Sequence, residues 1–318
     1  DAKKTKVKVY SCDIDSVSDF FPAYSTGDRT RSFLKVQDGC DYHCSYCTIP
    51  LARGKSRNMP ISQIVDQAKA IASQNVKEII LTGVNTGDFG KSTGETFLEL
   101  IQQLDRVEGI ERFRISSIEP NLITPEMVDF VAQSAKFLPH FHIPLQSGSN
   151  RILALMRRRY RRELFAERIE LIRSRMPDTF FGVDVIVGFP GETDDDFSDA
   201  FRFIEQVKPS FLHIFPYSER PNTPATEFEG KVSPKVVKQR VTLLTELSDR
   251  LHKEFFLKHI GQIRPVLVES SRKGDYMFGF TDNYIKVGIP FDKGHAGKVV
   301  KVRLEKFTPD GFVEGLVI

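Results

Sequence analysis

The sequence predicts an α/β chain, a parallel sheet flanked by helices followed by a small all-β barrel. Three observations predict it. Six apolar strand-like runs alternate with six helical patterns between Ser32 and His259. After Gly261, five short β-rich runs separated by Gly, Asp, Asn and Pro follow within 60 residues. The first 30 or so residues, rich in Ser and Asp, show few periodic apolar positions. Strand–helix alternation means parallel pairing, because a parallel neighbour needs a crossover. Periodicity leaves open whether the strands curl into an incomplete (β/α) barrel or form an open doubly wound sheet.

In chain order, Asp1–Val9 has the composition of a short strand, and Ser11–Thr30 that of a linker. Ser32–Gln37 reads as the first strand of the regular part and Ser62–Ser73 as a helix with Ser62 as N-cap. Lys77–Thr82 is a strand, Thr96–Val107 a helix, and Arg112–Ser117 a strand. Pro125–Ser134 is a helix with Pro in its first turn behind Thr124. Phe137–Ile143 is a strand, followed by one helical pattern from Asn150 to Arg175. Thr179–Val187 and Phe211–Phe215 are strands around a helix over Asp194–Val207, and a long helix runs over Pro234–His259. The β-rich runs are Ile263–Ser270, Tyr276–Thr281, Tyr284–Gly288, Gly297–Phe307 and Phe312–Val317, a pattern suited to a small barrel. The expected division is 1–30 as a linker or the remnant of a further N-terminal domain, 31–257 as the α/β domain, and 258–318 as the barrel domain.

Hydrophobic content of 40% and charged content of 27% describe a globular protein. No apolar run is long enough to span a bilayer, and Asp1–Lys8 is polar and lysine-rich. A cytoplasmic protein with no membrane partner is expected. Net charge is only +3, and ten basic against seven acidic residues from Lys258 onward match that excess. Evidence for nucleic acid therefore has to come from local clustering.

Three of the four cysteines form Cys40-Asp-Tyr-His-Cys44-Ser-Tyr-Cys47, just beyond the first strand and after Gly39. Three thiolates on one short loop suit an iron–sulfur cluster or zinc. Structural zinc closes with a fourth Cys or His, and His43 is adjacent to Cys44, where two neighbouring ligands seldom reach one metal. Three ligands leave the fourth iron of a cubane open to a substrate. Cys12 reads as a free thiol. Four further strand ends carry small or polar loops: Gly83–Gly87, Ser116–Pro120, His142–Ser149 and Asp184–Glu192. Parallel (β/α) folds build their active sites at those ends.

A C-x3-C-x2-C loop after the first strand, with Tyr46 before the last cysteine, resembles the radical S-adenosylmethionine (SAM) superfamily. The longer run Gly39–Arg57, with His142–Ser149, Asp184–Phe197 and Phe215–Ala225, resembles its methylthiotransferases. Thr48-Ile-Pro-Leu-Ala-Arg-Gly54 and Gly83-Val-Asn-Thr-Gly-Asp-Phe-Gly90 resemble the MtaB type. The resemblance covers about residues 30–318. It implies a partial (β/α)6 radical-SAM barrel followed by an OB-like TRAM barrel that binds RNA. It implies a [4Fe–4S] cluster on Cys40, Cys44 and Cys47, whose open iron holds the methionine moiety of SAM for cleavage to a 5′-deoxyadenosyl radical. The SAM contacts it implies are Tyr46, Gly83, Asn85, Thr86, Ser116, Ser117, Glu119, Gln146, Arg158, Asp184 and Val187, with no catalytic side chain beyond cluster and SAM.

The activity implied is methylthiolation at C2 of N6-threonylcarbamoyladenosine in a tRNA anticodon stem-loop, with an electron donor such as flavodoxin. A second [4Fe–4S] cluster, the sulfur source, belongs to an N-terminal domain whose three cysteines have no counterpart here, since only Cys12 precedes the motif. A ribosomal-protein aspartate or isopentenyladenosine in tRNA are alternative substrates. An RNA-binding protein with a structural metal is the non-enzyme alternative.

Arg151–Arg175 carries nine arginines against three glutamates, an RNA-facing run or a solvated helix face. Arg29, Arg31, Arg53 and Arg57 flank the cysteine loop, and Arg220 follows the sixth strand. These are expected to surround the opening through which a flipped base enters. Lys298, Lys301 and Arg303 are the RNA candidates of the barrel, where Phe278, Phe280 and Tyr284 read as core before they read as stacking platforms.

Overall fold

The structure is a computed structural model that describes residues 30–318 and, before them, 14, 17 and 19–25. Cys12, Arg29 and the strand expected at Asp1–Val9 lie outside the described residues. Six strands run parallel: β1 (Arg31–Lys35), β2 (Glu78–Thr82), β3 (Arg112–Ile115), β4 (His140–Gln146), β5 (Phe180–Val187) and β6 (Phe211–Pro216). They form two three-stranded sheets, β1-β2-β3 and β4-β5-β6. A single bridge, Phe113 to Phe137, joins the two. Pro139, with no N–H to give, opens β4 at this seam.

Helices α1 (Ile49–Arg53), α2 (Ile61–Ala72), α3 (Phe97–Asp105), α4 (Pro125–Gln133), α5 (Asn150–Leu155), α6 (Arg162–Arg175), α7 (Asp194–Val207) and α8 (Pro234–Lys258) follow the strands. Alternate strand residues such as Leu34, Ile79, Leu81, Phe141, Val183 and Leu212 pack outward against helix residues such as Ile64, Leu100 and Leu247 in one core. The complementary set on each strand faces the interior of the curled sheet, and that set decides the chemistry.

Two local expectations are corrected. Ser62 is not the cap of α2. The helix starts one residue earlier behind Pro60 without a side-chain cap, and Glu95 Oε1 takes the Ile61 N–H at 2.9 Å. The pattern from Asn150 to Arg175 is two helices, α5 and α6, broken over residues 156–161. At the break Arg157 takes φ 57°, and Tyr160 turns inward so that its hydroxyl donates to Pro144 O at 2.6 Å. The Asn150 side chain then accepts from Arg162 N at 2.9 Å, doing for α6 what its own Arg161 does not.

Strands β7 (Ile263–Lys273), β8 (Tyr276–Thr281), β9 (Lys286–Pro290), β10 (Val299–Phe307) and β11 (Val313–Val317) close into a barrel in the order β10-β11-β9-β8-β7. Val266, Val268, Met277, Val287, Val302 and Leu304 fill it, with Phe256 of α8 and Phe180 of β5 joining the same cluster. The barrel is docked at the N-terminal ends of the parallel strands. Arg114 Nη2 donates to Thr281 O at 2.9 Å, Arg112 Nη2 donates to Pro265 O at 2.8 Å, and Arg264 pairs with Asp178 at 3.0 Å. Glu78, also buried, neutralises this floor, with its carboxylate 3.0 Å from Arg114 Nε. Among the described residues no helix is long and apolar enough to cross a membrane.

Candidate active site

The opposite, C-terminal strand ends enclose a cavity of about 530 Å³ lined by Cys40, Cys44 and Cys47. The loop that carries them is held from both sides. Gln37, fully buried, donates to Gly39 O at 2.7 Å and Ser56 Oγ at 2.9 Å, and accepts from Asn85 N at 2.9 Å. One amide thus ties the β1 loop to the β2 loop. Gly39 has φ +72°, and a Cβ there would sit 2.0 Å from Lys55 O, so only glycine fits. Asp38 accepts from Gly39 N at 2.9 Å and Arg53 Nη1 at 2.9 Å. Burial raises its carboxyl, but these bonds and Lys35 outweigh burial and hold it below the ordinary range.

All three cysteines are reduced and unpaired. Tyr42 N–H points at Cys40 Sγ at 3.4 Å, Ile49 N–H at Cys47 Sγ at 3.5 Å, and Arg158 Nη1 at Cys44 Sγ at 3.2 Å. Burial pushes the Cys40 thiol up to about 12 and raises the Cys44 thiol as well. Thiolates at Cys40 and Cys44 are therefore favoured here only beside a cation. His43 is exposed and does not line the cavity. The donor set is three sulfurs with N–H groups aimed at them and no fourth cysteine or histidine among the lining residues. That set fits a [4Fe–4S] cluster with one open iron and does not fit a closed structural zinc site.

Of the residues expected to touch SAM, Tyr46, Gly83, Asn85, Ser117, Glu119, Gln146, Arg158 and Asp184 line the same cavity. Thr86, Ser116 and Val187 do not. Thr86 is buried and donates to Ser117 O at 2.9 Å, Ser116 N–H donates to Leu81 O at 3.1 Å, and Val187 lies in the core. They brace the lining rather than form it. Arg158 is buried and pairs with Glu119, and it also reaches Tyr160 Oη at 3.2 Å and Tyr46 Oη at 3.4 Å. Burial raises the Glu119 carboxyl despite Arg158. Gln146 reaches the cavity through a backbone irregularity. Pro144 cannot donate to the ladder, the β4–β5 register shifts between Pro144 and Gln146, and Gln146 takes φ 64°. Sequence reasoning missed Gln37, Tyr42 and Pro144. An amide closing a strand two residues before a glycine, and a proline inside a strand, were the available signals.

The arginines expected around the opening divide. Arg53 lines the cavity with half its side chain exposed. Arg220 is exposed beyond β6. Arg57 is corrected: its buried guanidinium donates to Lys55 O at 3.2 Å and Asp38 at 3.5 Å, holding the loop rather than facing solvent. Arg31 is corrected as well. It opens β1 at the far end of the strand, pairs with Glu269 at 2.6 Å and lies over the Phe280 ring, a barrel contact. Phe280 and Tyr284 stack on each other at the same interface, so neither is a free platform. Lys298, Lys301 and Arg303 are exposed, Arg303 pairing with Glu305 at 2.6 Å. They sit on the barrel, a strand length from the cysteines. Eight residues of β5 at about 3.3 Å each put roughly 25 Å between the two ends.

The model of the radical SAM superfamily matches residues 34–204. Threonylcarbamoyladenosine tRNA methylthiotransferase MtaB of Bacillus subtilis is 42% identical over 291 residues, 90% of this chain and 64% of that protein. The MtaB protein of Chlamydia pneumoniae is 38% identical over 312 residues, 98% of this chain and 73% of that one. The tRNA-2-methylthio-N(6)-dimethylallyladenosine synthase of Symbiobacterium thermophilum is 36% identical over 314 residues, 96% and 67% of the two chains. The chain spans about two thirds of the length of these relatives. Two solved structures share the fold. One is the radical SAM methyltransferase TsrM of Kitasatospora setae, at TM-score 0.53 and 18% identity over 61% of this chain and 38% of that one. The other is the coproporphyrinogen III oxidase HemN of Escherichia coli, at TM-score 0.52 and 13% identity over 88% and 67%. The C-x3-C-x2-C cavity of a partial (β/α)6 barrel, the small closed barrel beneath it and these relatives agree, and the chain belongs to the radical SAM superfamily and, within it, to the tRNA methylthiotransferases.

Proposed function

We propose that this chain is the radical-generating and RNA-binding part of an enzyme that adds a methylthio group to C2 of N6-threonylcarbamoyladenosine in a tRNA anticodon loop. A chain of this superfamily holds a [4Fe–4S] cluster and SAM. When bound here, the cluster supplies one electron for the reductive cleavage of SAM. The observation that carries the reading is the single cavity in which three cysteines face Asn85, Glu119, Arg158 and Asp184. In it, Cys40, Cys44 and Cys47 hold the cluster. The loop after β2 and the Arg158–Glu119 pair flank SAM, with Arg158 suited to a carboxylate because its guanidinium is buried and fork-shaped.

The threonylcarbamoyl substrate is supported by the relatives that carry MtaB names. The dimethylallyladenosine synthase relative makes isopentenyladenosine the second tRNA reading. Sulfur has to come from outside Cys40, Cys44 and Cys47, which are committed to the cluster, and we assign it to a second cluster on another part of the parent enzyme. The reaction belongs where tRNA and a flavodoxin-like reductant meet, in the cytoplasm. Mass spectrometry of tRNA nucleosides from a deletion strain tests the reading. Loss of the methylthio form of threonylcarbamoyladenosine is expected. Loss of the isopentenyl form instead shifts the substrate, and unchanged methylthio-nucleosides overturn the tRNA reading.

A further inference from the structure

Below the cysteines, the interior face of the second sheet carries one polar side chain from each of three adjacent strands. His142 of β4 bonds Asp184 of β5 through Nε2 at 2.7 Å. Asp184 is the register partner of His213 on β6. The His142 and His213 rings meet at 5.0 Å. On β6, Leu212 packs in one core with Leu244, Leu247 and Leu251 of α8, so the alternation along the strand puts His213 and Phe215 together on the opposite, interior side. Phe215, at the open edge of the sheet, is 51% exposed. A large aromatic with half its surface free, two residues from a histidine in a polar cluster, is not explained by core packing. The triad reaches the cavity through Asp184, which lines it, whereas neither His142 nor His213 does.

Burial lowers the His213 pKa, with the neighbouring His142 adding to it, so the His213 ring is neutral at pH 7. A neutral imidazole offers one donor and one acceptor, and the carboxylate of Asp184 keeps a second oxygen for acceptance. With the two imidazole rings tilted 43° to one another, these donors and acceptors beside an aromatic platform suit a nitrogen heterocycle bearing an exocyclic N–H. We propose that His142, Asp184 and His213 read the edge of the flipped substrate base while Phe215 stacks on it. This rests on the tRNA reading above and deepens it by naming where the base sits. The alternative chemistry of two imidazoles and a carboxylate is a divalent metal site, since the three ligand atoms lie within 4.8 Å of one another.

Replacing C2–H by C2–S requires that the hydrogen atom leave. In a productive turnover the C2–H bond breaks homolytically and a C–H bond forms on the 5′ carbon of 5′-deoxyadenosine; without the sulfur donor, the radical left at C2 takes one electron from dithionite and a proton from water. The test uses the full chain, reconstituted anaerobically and reduced with dithionite. It is given SAM and an anticodon stem-loop whose threonylcarbamoyladenosine is deuterated at C2. Unsubstituted protein should give deuterated 5′-deoxyadenosine. His213→Ala and Phe215→Ala should keep the iron content and the total rate of SAM cleavage, while the deuterated fraction falls about tenfold or more, the scale of a single interaction with a base. His213→Gln, which restores a donor and an acceptor, should recover part of it. Wild-type deuterium transfer in both alanine variants overturns the proposal. So does a tightly held divalent cation that His213→Ala loses, which makes the triad a metal site. Loss of SAM cleavage with the cluster intact also overturns it, because the residues then serve SAM. If unsubstituted protein cleaves SAM but transfers no deuterium from this RNA, the threonylcarbamoyladenosine reading fails and takes the base seat with it.

Discussion

Glu78→Ala tests how the barrel is held to the α/β domain. Glu78 opens β2 with its side chain 2% exposed, 3.0 Å from Arg114 Nε and 3.9 Å from Arg112 Nη1, both equally buried. At an effective dielectric near 20, a charge pair about 4 Å apart is worth roughly 4 kcal/mol. Removing one partner of a buried pair costs about 3–5 kcal/mol, because the other charge stays behind. Carbonyls of Thr281 and Asp282 still accept from Arg114, which argues for the lower half of that range. At a slope of about 3 kcal/mol per molar, the urea midpoint followed by far-UV circular dichroism should fall by roughly 1 M. Glu78→Leu with Arg114→Met, which removes both charges, should recover much of the loss. Recovery is incomplete because the barrel carbonyls are left unpaired, at about 1–3 kcal/mol. Burial raises the Glu78 carboxyl, but Arg114, Arg31 and Arg112 outweigh burial and hold it below its ordinary range. Its contribution is therefore fully present above the ordinary carboxyl pKa of about 4.3 and disappears as pH falls through the depressed folded value. The gap between wild type and Glu78→Ala should close on that acid side. A midpoint change below about 0.2 M at pH 7, or a gap that widens in acid, refutes the reasoning.

Cys44→Ala should abolish cluster assembly, read as loss of about four irons per chain and of the charge-transfer absorption, and retained iron would remove Cys44 from the ligand set. Gly39→Ala should do nearly the same with all thiols present, because its Cβ would meet Lys55 O at 2.0 Å and the φ of +72° disfavours it. A normal cluster yield in that variant would show that the loop has slack. Reversing Lys298, Lys301 and Arg303 to Glu should weaken stem-loop binding and flatten its salt dependence, by about 0.7–0.9 in log–log slope for each phosphate no longer neutralised. SAM cleavage without RNA should not change, since the three lie on the barrel at the far end of the strands. An unaltered salt slope would take the barrel face out of the RNA path.

The α/β alternation, the closed barrel after Gly261 and the cavity-lining cysteines were legible because each is written in local sequence. Strand runs alternate with helical periods, turn residues punctuate the barrel, and C-x3-C-x2-C keeps its thiols on one loop. The errors fell where one sequence signal stood for two structures. Arg157–Arg162 reads as helix, yet Arg158 is drawn inward by Glu119 and Tyr160 by Pro144 O, which breaks the helix there. Arg31 and Arg57 read as free cations near a motif, yet Glu269, 238 residues from Arg31, and Asp38 neutralise them.

By itself the sequence determined the grouping of the three cysteines on one loop, the order of elements and the strand ends at which loops converge, since spacing and periodicity are properties of the chain. The tertiary structure alone decided which arginines remain free, that the small barrel lies at the strand end opposite the cysteines, and that His142, Asp184 and His213 meet. A charge is paired or available, and an interior-facing side chain has neighbours, only once residues far apart in sequence have been brought together and out of water.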